Sequence, residues 1–219
     1  MGAALDEAVR SDLLLTIEEE TQRLNRFVAN LLNMTRLESG ALPVTATALD
    51  AAEILDGVAR RFTPVLGARS FCGPADRGPA MALGDAILLD QALGNIVENS
   101  IRFSPDGSTV FLHVQESEDQ IVLEVQDEGP GVPPDDLERI FDKFYRSPAN
   151  LARAQGTGLG LSISKGLIEA QGGAIRATDG RVGGLLVTNL TSQGAGVSQN
   201  AACFWSMTSR NWCASWRPR

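Results

Sequence analysis

The sequence predicts an α+β fold: a two-layer sandwich of helices on a mixed, mostly antiparallel sheet, preceded by a long helix of a dimerisation bundle. Three observations predict it. Two strand-like runs, residues 109–115 and 121–126, flank a short polar link and read as an antiparallel hairpin. Helical stretches with one apolar face lie on either side of that hairpin. A longer helix with seven-residue apolar spacing stands ahead of this compact pattern. The 219 residues, 43% of them hydrophobic, accommodate one mid-sized domain plus an accessory element.

In chain order, Ile17, Leu24 and Leu31 recur every seven residues, with Phe27 and Met34 offset by three, so a helix is expected from Asp12 to about Ser39. Gly40 and Pro43 supply its stop. Asp50 is a good N-cap for a second helix that runs to the region before Gly67. Residues 73–79, rich in Gly and Pro, are expected to be a loop with short strand pieces beside it. A third helix, 85–103, carries Leu88, Leu89, Leu93, Ile96 and Val97 on its apolar side and ends at the turn signal Ser104-Pro105-Asp106-Gly107. The hairpin follows, with Ser117, Glu118 and Asp119 as its link. A short helix is expected near 135–144, another at about 159–171, and two last strands at 174–178 and 185–190.

The formal net charge of −8 argues against a nucleic-acid partner, which needs a basic footprint. No run approaches the roughly 18 apolar residues of a membrane span, and no signal pattern opens the chain, so the reading is cytoplasmic. Three cysteines, Cys72, Cys203 and Cys213, lack paired metal-ligand spacing, and no disulfide framework is expected. Residues 191–219 contain no Asp, Glu or Lys yet hold all three Trp. This tail does not continue the composition of the domain and reads as a translated frame change sooner than as a natural tail for partner binding.

Four features between Asn95 and Leu161 carry chemistry together. Asn95 and Asn99 share one helix face, with Arg102 a turn further on. Carboxamide oxygens suit Mg²⁺, and a guanidinium suits phosphate, although such a pair alone is ordinary surface polarity. Asp127-Glu128-Gly129-Pro130-Gly131 follows a strand. Its carboxylate can accept from an amino group while its glycines let a ligand approach. Ile140 to Arg146 interleaves aromatics with cations. Gly156-Thr157-Gly158-Leu159-Gly160-Leu161 opens a helix, where free N–H groups favour phosphates. It lacks the spacing of a dinucleotide fingerprint and the Gly-Lys-Ser/Thr end of a Walker loop.

In order, these residues resemble the ATP-binding fold shared by histidine kinases, gyrase, Hsp90 and MutL, and within it the histidine-kinase branch. Asn95 to Asn99 is similar to the N box, 127–131 to the first glycine box, 141–144 to the F box and 156–161 to the second glycine box. The resemblance implies that Asn99, with Asn95, holds Mg²⁺ against the phosphates of ATP and that Asp127 binds the adenine amino group. Gly129 and Gly131 shape the adenine pocket, Arg102 meets phosphate and Phe103 packs by the base. Phe144, Tyr145 and Arg146 contribute to the same site. Gly156, Thr157, Gly158, Leu159, Gly160 and Leu161 border the phosphates, and 146–155 form a mobile lid. The first helix, with the run from Met34 to Gly40, is similar to the second helix of the family's dimerisation domain. With the F box it looks most like the KdpD-type potassium-sensing kinases.

The domains implied are 1–42, the second helix of a truncated dimerisation and phosphoacceptor domain; 49–190, the ATP-binding domain; and 191–219, the tail. The sole histidine, His113, lies in a predicted strand without the family's following acidic residue, so no phosphoacceptor is expected in this chain. Gln171 stands where the family often has His. The implied function is a catalytic module that passes the γ-phosphoryl of Mg-ATP to a histidine supplied elsewhere, with a response regulator as indirect partner and a homodimer formed through the helix bundle. The alternative is a non-catalytic dimerisation or nucleotide-binding remnant. A gyrase- or Hsp90-like ATPase is disfavoured, because those relatives place a water-activating glutamate at the position of Asn95.

Overall fold

The computed structural model describes residues 7–73, 79–116, 120–148, 156–180 and 183–191. The chain divides into two compact units, Met1–Leu42 and Pro43–Arg219. The expected tail beyond Thr191, the link 117–119, the middle of the 73–79 loop and most of the expected lid lie outside the described residues.

The first unit is one helix, α1 (Glu7–Glu38), of 32 residues. It closes as its glycine suggests: Gly40, with φ of 64°, donates its N–H to the Leu37 carbonyl while Ala41 donates to Arg36. Its apolar residues are displayed, with Ile17 61%, Leu24 62% and Leu32 53% exposed. No helix among the described residues is long and apolar enough to cross a membrane.

The second unit opens with β1 (Thr47–Asp50), which pairs antiparallel with β3 (Met81–Gly84) as a separate two-stranded ribbon. Four residues with a single buried position offer little alternation to read, and β1 was not expected. Asp50 joins ribbon to helix. Its Oδ1 accepts from Ala52 and Glu53 at the start of α2 (Ala51–Phe62) and from the N–H of Ala80, 3.0 Å away. A 3-10 turn, Thr63–Val65, then carries the chain to the Gly67 bend.

The main sheet has the order β2-β4-β5-β7-β6. Strand β2 (Ser70–Cys72) runs parallel to β4 (Thr109–Glu116), whereas β4 with β5 (Gln120–Gln126), β5 with β7 (Gly183–Thr191) and β6 (Ala174–Gly180) with β7 are antiparallel. The sheet is thus mixed and mostly antiparallel, as expected. Alternate residues Val110, Leu112, Val114 and Ile121, Leu123, Val125 are buried, which is the period-two signature of a sheet with a covered face. Cys72 is disulfide-bonded, which departs from the expectation for the cysteines.

Helix α3 (Ala86–Phe103) packs against both α2 and α4 (Gly160–Glu169) to form the second layer. The core lies between the layers and includes Leu55, Val58, Leu89, Leu93, Ile96, Ile163, Leu167 and Ile168. The helix expected near 135–144 is absent. Two short 3-10 turns, Pro134–Asp136 and Arg139–Phe141, take its place. Prolines at the start would suit a first helical turn, but Phe144 turns the chain with φ of 63° and donates its N–H to the distant Gly158, so an α-helical ladder does not run through to 144.

Candidate functional site

Helix α3 places the candidate residues by its period. Its deep side holds Leu89, Leu93, Ile96 and Val97 in the core, which leaves Asn95, Asn99 and Arg102 on a half-buried to exposed stripe. Asp85 caps the helix, accepting from Ile87 and Leu88 with Oδ1 while Oδ2 accepts from Thr45 at 2.9 Å. The Thr45 N–H is the largest influence holding the Asp85 carboxyl below its ordinary range. Gln171 completes this knot: its Oε1 accepts the Asp85 N–H at 2.8 Å and its Nε2 donates to the Leu167 carbonyl. Gln171 therefore ties the end of α4 to the start of α3.

Each expected loop meets α3. Asn95 Nδ2 lies 3.5 Å from the carbonyl of Gly160, at the first turn of α4, and Ser164 Oγ donates to Ala92 O at 3.0 Å. Arg102 pairs with Glu98 at 2.9 Å, and its Nη1 lies so near Gly156 that a Cβ there would come within 2.9 Å. A Cβ on Gly129 would stand 2.6 Å from Asp127 Oδ1 and 3.1 Å from the Phe103 carbonyl, so a side chain here would force the Asp127 carboxylate aside. Glu128 itself turns back to accept the Thr109 N–H at 2.7 Å and pins the start of β4.

Asp127 follows β5 directly. Its carboxylate accepts the Gly129 N–H at 2.8 Å and a hydrogen bond from the buried Ser100 hydroxyl. Burial nonetheless dominates those two bonds and pushes its pKa from 3.8 up to about 6. Ser100 was missed in the sequence because a serine one residue beyond Asn99 looks like any helix-surface polar group. Only the approach of β5's end to α3 shows its role.

The second glycine segment is shaped by its contact with the aromatic run. Gly158, with φ of 70°, accepts the Phe144 N–H at 3.0 Å, and a Cβ on it would collide with the Phe144 backbone at 2.7 Å. Phe141 is buried beside Lys165, whereas Phe144 is 62% exposed. Tyr145 is half-buried, and Arg146 and Thr157 are exposed. Thr157 Oγ1 accepts weakly from the Leu159 N–H, and buried Leu159 anchors the loop ahead of half-buried Leu161. Gly131, with φ of 73°, lies beyond Pro130 on the loop after β5. The structure thus brings Asn95, Arg102, Phe103, Asp127, Gly129, Gly156 and Gly160 around one helix, while Phe144, Tyr145 and Gly158 form an adjoining wall. His113 stands apart in β4, paired with Glu124 and stacked on Phe111.

An α+β sandwich with a capped polar helix facing two glycine-rich loops defines an ATPase-type nucleotide-binding domain. The chain belongs to the histidine kinase-, DNA gyrase B- and HSP90-like ATPase family, whose model matches residues 84–196. Among its relatives, the sensor protein KdpD of Mycobacterium tuberculosis is 38% identical over 184 residues, covering 81% of this chain and 21% of that protein. KdpD of Clostridium acetobutylicum is 31% identical over 84% of this chain. The chain spans about a fifth of the length of these curated relatives. Of solved structures, full-length ShkA in complex with AMPPNP is 26% identical with a TM-score of 0.69, covering 89% of this chain and 41% of that one. A mycobacterial sensor histidine kinase, MprB, is 27% identical with a TM-score of 0.60, over 67% of this chain and 97% of that one.

Proposed function

We propose that this chain is the ATP-binding catalytic module of a KdpD-like sensor histidine kinase, which transfers the γ-phosphoryl of Mg-ATP to a histidine outside the residues of this chain. The observation that carries the reading is the junction of α3 with both glycine segments: Asn95 to Gly160, Arg102 to Gly156 and Ser100 to Asp127. Asp127 accepts the adenine amino group, Gly129 and Gly131 shape the pocket around the base, and Phe103 packs beside it. Arg102, Arg146 and the N–H groups of 156–161 neutralise and orient the phosphates. Transfer then rests on positioning and charge neutralisation rather than on a covalent intermediate.

The residues fit Mg²⁺. Among the described residues no group of three or more His, Cys, Asp or Glu could cage a metal, and Mg²⁺ is ordinarily held by few protein oxygens together with substrate phosphates. Asn95 directs its amide nitrogen to Gly160, which turns its oxygen the other way, and Asn99 stands one turn along the same face. When bound, Mg²⁺ supplies charge neutralisation at the phosphates. An amide at Asn95 cannot serve as a general base for water, which favours phosphoryl transfer over hydrolysis. His113, stacked in the sheet, is not the acceptor. Helix α1 supplies the dimerisation surface, and a response regulator receives the phosphoryl group downstream.

Calorimetric titration with an ATP analogue, with and without Mg²⁺, tests this reading. Wild type is expected to bind with a Mg²⁺-dependent gain that Asn99→Ala removes. A folded wild-type chain that binds no nucleotide refutes it.

A further inference from the structure

Asp136, in the 3-10 turn Pro134–Asp136, is buried at 8% exposure and touches a single residue assigned to nucleotide, Tyr145. Its Oδ1 accepts the Tyr145 hydroxyl at 2.6 Å and its Oδ2 accepts the Ser147 hydroxyl at 2.6 Å. Both are short, charge-assisted bonds, the strong kind. Arg139 closes the cluster, with its guanidinium 4.4 Å above the Tyr145 ring and 3.9 Å from Asp136 Oδ1. Both oxygens of one carboxylate are thus spent on two side chains that flank Arg146.

The same short segment is held from its other side. Phe144 donates its N–H to Gly158, and the Tyr145 carbonyl lies 2.9 Å from where a Gly158 Cβ would stand. Tyr145 and Ser147 both turn toward Asp136, so Arg146 between them leaves the backbone in another direction, and it is exposed. Its backbone starts beside the glycine segment that borders the phosphates. A long cationic side chain gains most from a fixed root, because less rotamer freedom then remains to be lost on binding.

We infer that Asp136 is a positioning residue: by clamping Tyr145 and Ser147 it fixes the backbone from which Arg146 reaches the phosphate end of the nucleotide. This inference rests on the nucleotide reading of the site. Asp136 acts through Arg146 and not on the base, so its removal weakens ligands that carry phosphates and spares those that do not.

The test is calorimetric titration with AMPPNP plus Mg²⁺ and, separately, with adenosine. Arg146→Ala is expected to weaken AMPPNP by about tenfold, the scale of one charge-assisted hydrogen bond, and Asp136→Ala by about as much. The double variant is expected to bind as Arg146→Ala alone does. Tyr145→Phe and Ser147→Ala, which each delete one hydroxyl without orphaning a charge, should each cost AMPPNP about threefold. Asp136→Asn, which still accepts a hydrogen bond, should recover most of the affinity. Adenosine affinity should stay unchanged in Asp136→Ala, Asp136→Asn and Ser147→Ala. Equal losses for AMPPNP and adenosine, or additive losses in the double variant, overturn the inference while leaving the nucleotide site standing. If Asp136→Ala does not fold, Ser147→Ala decides by the same criterion. No binding of either ligand by folded wild type overturns the site and the inference together.

Discussion

Replacing Asp127 by Asn should make the protein more stable at neutral pH while removing its recognition of adenine. The carboxyl is pushed from 3.8 to about 6 chiefly by burial, against the opposing bonds from Gly129 and Ser100. At roughly 1.4 kcal/mol per pH unit the difference corresponds to about 3 kcal/mol, and about 2 kcal/mol after allowance for the residual exposure of the side chain. Because the folded state holds the proton more tightly than the unfolded state, the charged form costs stability. That cost is fully present above pH 6, shrinks between 6 and 3.8, and is gone below 3.8. An amide keeps the shape and an acceptor for Gly129 without the charge. Thermal melts should therefore place Asp127→Asn about 4–8 °C above wild type at pH 7.5, with the gap closing as the pH falls through 6. The same carboxylate predicts that wild-type ATP affinity falls below pH 6, approaching tenfold per pH unit if only the ionised form accepts the adenine amino group. A variant that melts at or below wild type at pH 7.5, with a gap indifferent to pH, would refute the claim that burial dominates at Asp127.

Gly158→Ala combines a positive φ with a 2.7 Å clash against the Phe144 backbone. It should cost about 2 kcal/mol or more in urea denaturation and abolish nucleotide binding, because the loop and the aromatic wall cannot both keep their places. Asp85→Ala removes the cap of α3 and the anchor for Thr45. A loss of about 1–2 kcal/mol is expected by chemical denaturation at pH 7. The lowered pKa of Asp85 means that its contribution is present above 3.8 and disappears as the pH falls through the lower folded value, so wild type and variant should converge only in that acid range.

What the sequence disclosed and what it withheld divide along physical lines. Asn95, Asn99 and Arg102 were legible because helical period alone puts them on one face, and Gly40, Asp50 and Asp85 were legible because caps and stops act within a few residues. The hairpin β4–β5 showed itself by alternation. The parallel pairing of β2 with β4 and the ribbon β1–β3 join segments more than 30 residues apart, and β1, β2 and β3 are only three or four residues long. The run at 135–144 has a helix-like composition, but Phe144 takes a positive φ and bonds Gly158, a distant contact that no local pattern announces. Ser100 and Asp136 escaped for a related reason. Each is an ordinary polar residue until a distant segment arrives to bond it.

The position of β7 between β5 and β6 carries a consequence for the order in which the molecule assembles. Strands β4 and β5 adjoin in sequence and can pair on the microsecond scale of a hairpin. Gln126 meets Leu185 only after the roughly 60 residues between them have been looped back, an entropic cost of about 4 kcal/mol. Asp127, the aromatic run, the second glycine segment and α4 all lie within that excursion. The ability to hold nucleotide should thus be the last property acquired during folding, and a refolding trace followed by a bound fluorescent nucleotide should lag one followed by backbone circular dichroism.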